Sequence, residues 1–209
     1  NNHLLAAQGA REYPMATHES RLKRVLPKIH TDRTVLCLLA PEFAELMVRF
    51  RMENQHHLTR WGPSRSSYFF TPAFWKAQLS ANVDSFRSGQ SCCLVILNQN
   101  ENEVLGVCNF TQIARGTMQS CHLGYALAAI HEGQGLMREA LTAAIDYVFL
   151  ELELHRIMAG YLPHNKRSAG LLKRLGFEIE GQARQYLRID GKWQDHVLTA
   201  MINPFEPDC

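Results

Sequence analysis

No apolar run in these 209 residues reaches the roughly 18 needed to cross a bilayer, and the first residues lack the apolar core of a signal peptide. A soluble protein is expected. An excess of one charge is missing too. The 22 Lys and Arg stand against 20 Asp and Glu, and the net charge of +2 is too small for a dedicated binder of phosphate backbones. Six cysteines, Cys37, Cys92, Cys93, Cys108, Cys121 and Cys209, show no C-x-x-C spacing and fall short of the density of a small disulfide scaffold, which points to a reducing, cytoplasmic setting. The ten histidines form no H-E-x-x-H and no His/Cys cluster at zinc-ligand spacing, so no metal is expected.

What the chain does have is a core. With 46% apolar and 20% charged residues, a folded chain of this length buries roughly 70% of the surface it exposes when unfolded. That fits one large domain and excludes wholesale disorder. Residues 1–18 are set apart as a leader or cloning remnant, and the domain runs over 19–209.

Residues 31–40 (TDRTVLCLLA) read as a strand, after which Pro41 opens a helix with apolar spacing at Phe43, Leu46, Met47 and Phe50. Residues 54–70 are polar and aromatic. Pro72 then starts a second helix, which Gly89 ends. The stretches 92–97, 104–113 and 118–127, separated by NQNEN and by Arg115-Gly116, predict a three-strand antiparallel meander. Residues 136–152 carry an i, i+4, i+8 apolar stripe and read as the strongest helix. A strand over 155–162 follows, then a short helix opened by Asn165 as N-cap and closed by Gly176, with Phe177 packing on Leu172. Two final strands, 178–188 and 192–201, meet at the hairpin signal Asp190-Gly191. The fold class is therefore α+β, a single domain with a mixed, mostly antiparallel sheet of about seven strands flanked by helices.

The segment YALAAIHEGQGLMREAL carries the sharpest chemical signal. A strand ends, Gly133 and Gly135 bracket Gln134, and the strong helix begins. Unpaired first-turn amides, the positive end of the helix dipole and close access over glycine suit a diphosphate. A glycine-rich turn that only starts a helix is the alternative. The dinucleotide fingerprint fails because position 138 is Arg, and the phosphate-loop pattern G-x-x-x-x-G-K-[ST] is absent.

The run Glu132-Gly133-Gln134-Gly135-Leu136-Met137 resembles the phosphate loop of the GNAT acetyltransferases, Gln/Arg-x-x-Gly-x-Gly/Ala, with Glu132 and Met137 departing from it. The blocks GVCNF (106–110), LGY (123–125), GQGLMREALTAAI (133–145), HRIMAGYLPHNKRSAGLLKRLGFEIEG (155–181) and DGKWQDHVLTA (190–200) narrow the resemblance to the RimJ-type ribosomal-protein-alanine N-acetyltransferases. Before residue 90 the likeness rests on TDR (31–33) and the helix pattern. The resemblance implies that the acetyl-CoA pyrophosphate lies on amides of Glu132 to Met137, and that backbone at Leu127 and Ala128 meets the thioester carbonyl and pantetheine. The Glu132 carboxylate then has to point away from the diphosphate, because like charges repel.

Many GNAT enzymes also set an Asn here for the cofactor, Asn165, and a Tyr seven residues on as the acid for the departing thiolate. That position is Leu172, which has no proton to give, so Ser168 becomes the acid candidate. Asn165 and Ser168 are equally ordinary helix-start residues. Glu180 matches a proposed general base, with a solvated strand-end carboxylate as its plain reading. Lys166, Arg167, Lys173 and Arg174 are candidates for the CoA 3′-phosphate.

The resulting expectation is an acetyl-CoA-dependent acyltransferase, without a metal, acting by direct attack on the N-terminal α-amine, alanine, of a small-subunit ribosomal protein, with contact to the ribosome or a pre-ribosome, no membrane and the oligomeric state left open. None of the cysteines sits in a nucleophile motif. One rival is a small amine or another peptide N-terminus as acceptor. The other is RNA binding through the basic run Arg21, Lys23, Arg24, Lys28 and Arg33.

Overall fold

A computed structural model of the chain describes residues 25–206; the expected leader, Arg21, Lys23, Arg24 and Cys209 lie outside them. One sheet runs in the order β1-β2-β3-β4-β5-β6-β8-β7. Its strands are β1 Lys28–His30, β2 Thr34–Cys37, β3 Cys92–Asn98, β4 Val104–Ala114, β5 Ser120–Leu127, β6 Arg156–Tyr161, β7 Glu178–Ile189 and β8 Lys192–Ile202. Every neighbouring pair is antiparallel except β5 with β6. The count is eight where the sequence predicts about seven. The extra strand, β1, has only three residues, too few for an alternating pattern to register. The strand expected from residue 31 begins at Thr34 because the Thr31 amide bonds the Thr34 carbonyl across a turn, at 2.9 Å.

Among the described residues five α-helices flank the sheet: α1 Ala44–Glu53, α2 Gln55–Thr59, α3 Pro72–Arg87, α4 Leu136–Leu150 and α5 Lys166–Leu175. A 3-10 turn at Pro41–Phe43 leads into α1. The polar stretch 54–70, unassigned in the sequence, holds α2 and a second 3-10 turn at Ser67–Phe70. Thr71 caps α3 by accepting from the Phe74 amide, with Pro72 in the first turn where its missing N–H costs nothing. Helices α1 and α3 supply one apolar core, with Met47, Trp75 and Leu79 against Val35, Val95 and Val107. Helices α4 and α5 bury Leu141, Val148 and Leu172 on the other face, against Ile157 and Ala159 among others. Each such fully buried aliphatic side chain stabilises the fold by about 1.5–3 kcal/mol.

The local stops are those the residues dictate. Gly176 takes the left-handed conformation at φ +97°, its amide bonds the Lys173 carbonyl and the Phe177 amide bonds that of Leu172. Phe177 and Leu172 share one core, the usual apolar partnership of this cap. Asp190 and Gly191 both have positive φ, 46° and 74°, as a two-residue hairpin turn requires.

The site is set by a break in the sheet. Parallel pairing of β5 with β6 runs from Ser120 opposite Arg156 to Leu123 opposite Ala159 and stops. Beyond it β5 stays paired to β4 as far as Leu127, and β6 to β8 as far as Tyr161. Two held walls therefore splay apart, and the first residues past the break on the α4/α5 face are Tyr125 and Tyr161.

Candidate active site

Backbone groups on the β5 wall alternate in direction. The Ala128 amide bonds the Leu105 carbonyl at 2.8 Å, so with Gly106 opposite Leu127 the next position up the ladder turns its polar groups away from β4. The Leu127 amide thus faces the splay, whereas the Ala128 amide, also expected to serve the thioester, is engaged within the sheet.

At the end of this wall the chain makes the glycine loop. Gly133 and Gly135 lie at φ +76° and +78°, a conformation that costs other L-residues about 1–2 kcal/mol. Space above Gly133 is open, since a Cβ there would meet nothing within 4 Å. Gly135 is the N-cap of α4 and offers no side-chain acceptor. The first-turn amides of Leu136 and Met137 are left for an anion, while their side chains are buried. The Gln134 side-chain amide bonds the Ile130 carbonyl. Glu132, the departure from the motif, pairs with Arg167 in the first turn of α5 and lies 3.4 Å from His57 Nε2. Burial, with the charges of Arg60 and Arg167, holds His57 below its ordinary pKa. Arg167 is therefore the cation that neutralises Glu132.

From the other side Arg33 fixes the loop. Its Nε donates to Glu139 Oε2 at 2.7 Å, its backbone N–H to Glu139 Oε1 at 2.8 Å and its Nη1 to the Gln134 carbonyl at 3.0 Å. The Thr31 hydroxyl donates to Glu139 Oε1 at 2.7 Å. Lys28 pairs with Glu101 at 2.7 Å. The two described members of the basic run are thus committed to ion pairs.

Across the splay, Asn165 caps α5, its Oδ1 accepting from the Ser168 amide at 3.1 Å. The Ser168 hydroxyl meets the Tyr125 hydroxyl at 2.5 Å. Leu172, one turn further along the same helix face, is 1% exposed and part of the core, so it substitutes packing for the missing acid. Glu180 stands apart, ion-paired to Arg156 at the exposed side of β7. Ile157 and Ala159 face the α4/α5 core, so Arg156 and Glu180 lie on the opposite face of the sheet from Tyr125 and Ser168. The fold brings Ser168 to the splay and leaves Glu180 on β7, which β8 separates from the splay.

Residues 33–178 match the acetyltransferase (GNAT) domain family. The chain belongs to the GNAT acetyltransferases. Similarity within this family is strong to the ribosomal protein uS5-alanine N-acetyltransferase of Escherichia coli, 44% identical over 86% of this chain and 93% of that one. Among solved structures, the ribosomal-protein-S5-alanine acetyltransferase from Vibrio fischeri superposes with a TM-score of 0.82 at 37% identity, covering 87% of this chain and 100% of that one. RimJ from Mycobacterium smegmatis, solved with a CoA-disulfide, does so at 0.79 and 28% identity over 88% and 89% of the two chains.

A cleft of about 390 Å³ opens beside the end of β6, lined by Trp61, Leu162, His164, Asp190 and Gln194 among others, with the Trp61 and His164 rings 5.7 Å apart. The buried thiols are poor nucleophiles: burial pushes Cys108 far up and Cys121 up to about 12. Among the described residues no helix is long and apolar enough to cross a membrane, and no group of three or more His, Cys, Asp or Glu could hold a metal. The sequence reading names neither Tyr125 nor His57 as a site residue, and it gives Arg167 to the CoA 3′-phosphate and Arg33 to RNA rather than to Glu132 and Glu139. The signals available were the LGY and TDR blocks, which mark likeness without saying what the side chains touch.

Proposed function

We propose that this chain transfers the acetyl group of acetyl-CoA to the N-terminal α-amine, alanine, of a small-subunit ribosomal protein, by direct attack on the thioester. The observation that carries the reading is the break between β5 and β6, where an unpaired amide, a hydroxyl pair and a glycine loop at a helix start converge on one opening. The alanine acceptor draws support from the names of the Escherichia coli and Vibrio fischeri relatives.

In this reading the amides of Gly133 to Met137 take the diphosphate, and the thioester enters the splay. The acceptor amine comes by the cleft at Trp61 and His164. As the C–N bond forms, the Leu127 N–H donates to the carbonyl oxygen and stabilises its developing negative charge. Glu180, through water, receives the proton that the attacking nitrogen loses. The C–S bond then breaks, sulfur leaves with the electron pair, and Ser168 gives it a proton that solvent restores. The test is turnover of acetyl-CoA with a panel of peptides of defined N-terminus, mass spectrometry locating the acetyl group. Acetyl on the terminal alanine nitrogen is expected, and acetyl found only on lysine or on small amines would overturn the assignment.

A further inference from the structure

Among the described residues, two buried side-chain nitrogens lack a hydrogen-bond partner, Arg51 Nε and Trp75 Nε1, and both belong to one cluster. The Arg51 guanidinium lies 5.4 Å from the Trp75 ring, 5.2 Å from Phe50 and 5.6 Å from Phe69. The exposed Arg65 stacks on the same Phe69 ring at 4.6 Å. No carboxylate pairs with either arginine among the described residues. Burial, and then the like charge of Arg65, lowers the Arg51 pKa to about 10, which still leaves it a cation at neutral pH. Ring faces attract guanidinium groups, yet they accept no hydrogen bond in the ring plane of an indole N–H. Two unpaired donors and two positive charges therefore share one aromatic cluster in which, among the described residues, no carboxylate answers them, although buried polar groups are ordinarily paired.

We infer that Arg51, Arg65 and Trp75 form a binding site for a carboxylate, supplied by an acidic side chain of the polypeptide acceptor downstream of its reacting terminus. A carboxylate accepts from both guanidinium forks and from the indole at once. The near-neutral chain, with a net charge of +2, favours it over the phosphodiester backbone of a nucleic acid. Continuity with the cleft supplies the source. Arg60 and Trp61 line the cleft, and Arg65 follows four residues later, within about 14 Å of Trp61 along the chain. An extended acceptor about four residues long spans that distance. The inference rests on the proposed entry of the acceptor by that cleft.

The experiment uses the full chain and short alanine-led peptides carrying one glutamate at the third, fourth, fifth or sixth residue, each with its glutamine counterpart. Calorimetry reads binding whether or not acetyl is transferred, so failure of the acetyltransferase assignment and failure of this site are distinguishable. At one of these positions glutamate should bind about tenfold more tightly than glutamine, the scale of one charge-assisted hydrogen bond. Arg65→Gln should abolish the difference, Arg65→Lys should restore part of it, and Trp75→Phe, which keeps the ring and removes the N–H, should reduce it. In kinetics the preference should appear in KM, with kcat unchanged. Because Arg51 is packed in the core, the test relies on Arg65, whose variants should melt with the wild type. Equal binding of glutamate and glutamine peptides at every position, or a preference that survives Arg65→Gln, overturns the inference. So does Arg65-dependent binding of a single-stranded RNA oligomer in the absence of any glutamate preference.

Discussion

The Tyr125 hydroxyl stands 2.5 Å from the Ser168 hydroxyl and joins the β5 wall of the splay to the first turn of α5. Burial pushes the Tyr125 phenol up to about 12, so it remains protonated through the neutral range. With the tyrosine donating to Ser168 Oγ, the serine proton is free to turn toward a sulfur in the opening. Leu172 leaves the acid position without a proton donor, and in the proposed function the two hydroxyls beside it, one from a strand and one from a helix start, take that role.

Ser168→Ala should therefore lower kcat by about 10²-fold, within the range of general acid catalysis, while KM for acetyl-CoA moves less. Tyr125→Phe should lower kcat in the same direction by about tenfold, since it only releases the serine from its orientation. Steady-state kinetics beside thermal melts check both. Turnover near wild type in a stable Ser168→Ala protein would return Ser168 to an ordinary helix-start residue.

At the glycine loop, Gly135→Asp should weaken CoA binding by at least tenfold, because it adds a like charge where the diphosphate lies. Gly133→Ala is the control. Its Cβ would meet nothing within 4 Å, so the cost should be limited to backbone strain of about 1–2 kcal/mol in stability. Unchanged CoA affinity in folded Gly135→Asp, read by calorimetry, would remove the diphosphate from this loop.

The clamp of Arg33 on Glu139 predicts a pH dependence of stability. Desolvation is the largest single influence on this carboxyl and raises its pKa, but the hydrogen bonds from Thr31 and Arg33 together outweigh it and hold the pKa below the ordinary value. A folded-state pKa that is depressed gives stability present above the unfolded carboxylate pKa of about 4.3 and lost as pH falls through the folded one. Denaturant melts from pH 6 downward should show Glu139→Gln less stable than wild type near neutrality, with the gap closing in acid. A gap that stays constant with pH would mean that the clamp acts through shape alone.

What the sequence discloses follows the distance over which each feature is built. The Asn165 cap, the Gly176–Phe177 stop and the Asp190-Gly191 turn each involve a few consecutive residues, so residue type and spacing suffice to find them. Tyr125 and Ser168 are 43 residues apart and Arg33 and Glu139 are 106 apart, and no local pattern marks such pairs. The counter-charge of Glu132 is hidden for the same reason, since Arg167 arrives only on α5, after α4 and β6. The direction of the Ala128 amide is hidden for a different cause: which amides of a strand face outward is fixed by register, and register is set by partners.

Acceptor choice follows from proton availability. A lysine amine is neutral at pH 7 roughly 200-fold less often than an α-amine, so acetylating it demands a stronger base than a solvent-linked carboxylate. An alanine-led peptide should react faster than the same peptide blocked at its terminus but carrying lysine. Glu180→Gln should slow the reaction most at low pH, where neutral amine is scarce. Faster acetylation of the blocked lysine peptide would move the enzyme to the side-chain acetyltransferases, and a pH-independent loss would leave Glu180 a structural partner of Arg156.

The short ladder from Ser120–Leu123 to Arg156–Ala159 is the seam between β1–β5 and the β6-β8-β7 group. Strand hydrogen bonding alone therefore ties these halves weakly, and a molecule lying in the splay with its diphosphate on α4 would stitch them from end to end. Amide exchange along β6 and the Leu127 end of β5 should slow on CoA binding far more than exchange in β3 or β4, whose pairing is already continuous. The cosubstrate would then complete the sheet as well as supply the acetyl group, and the apoprotein would be the mechanically divided form.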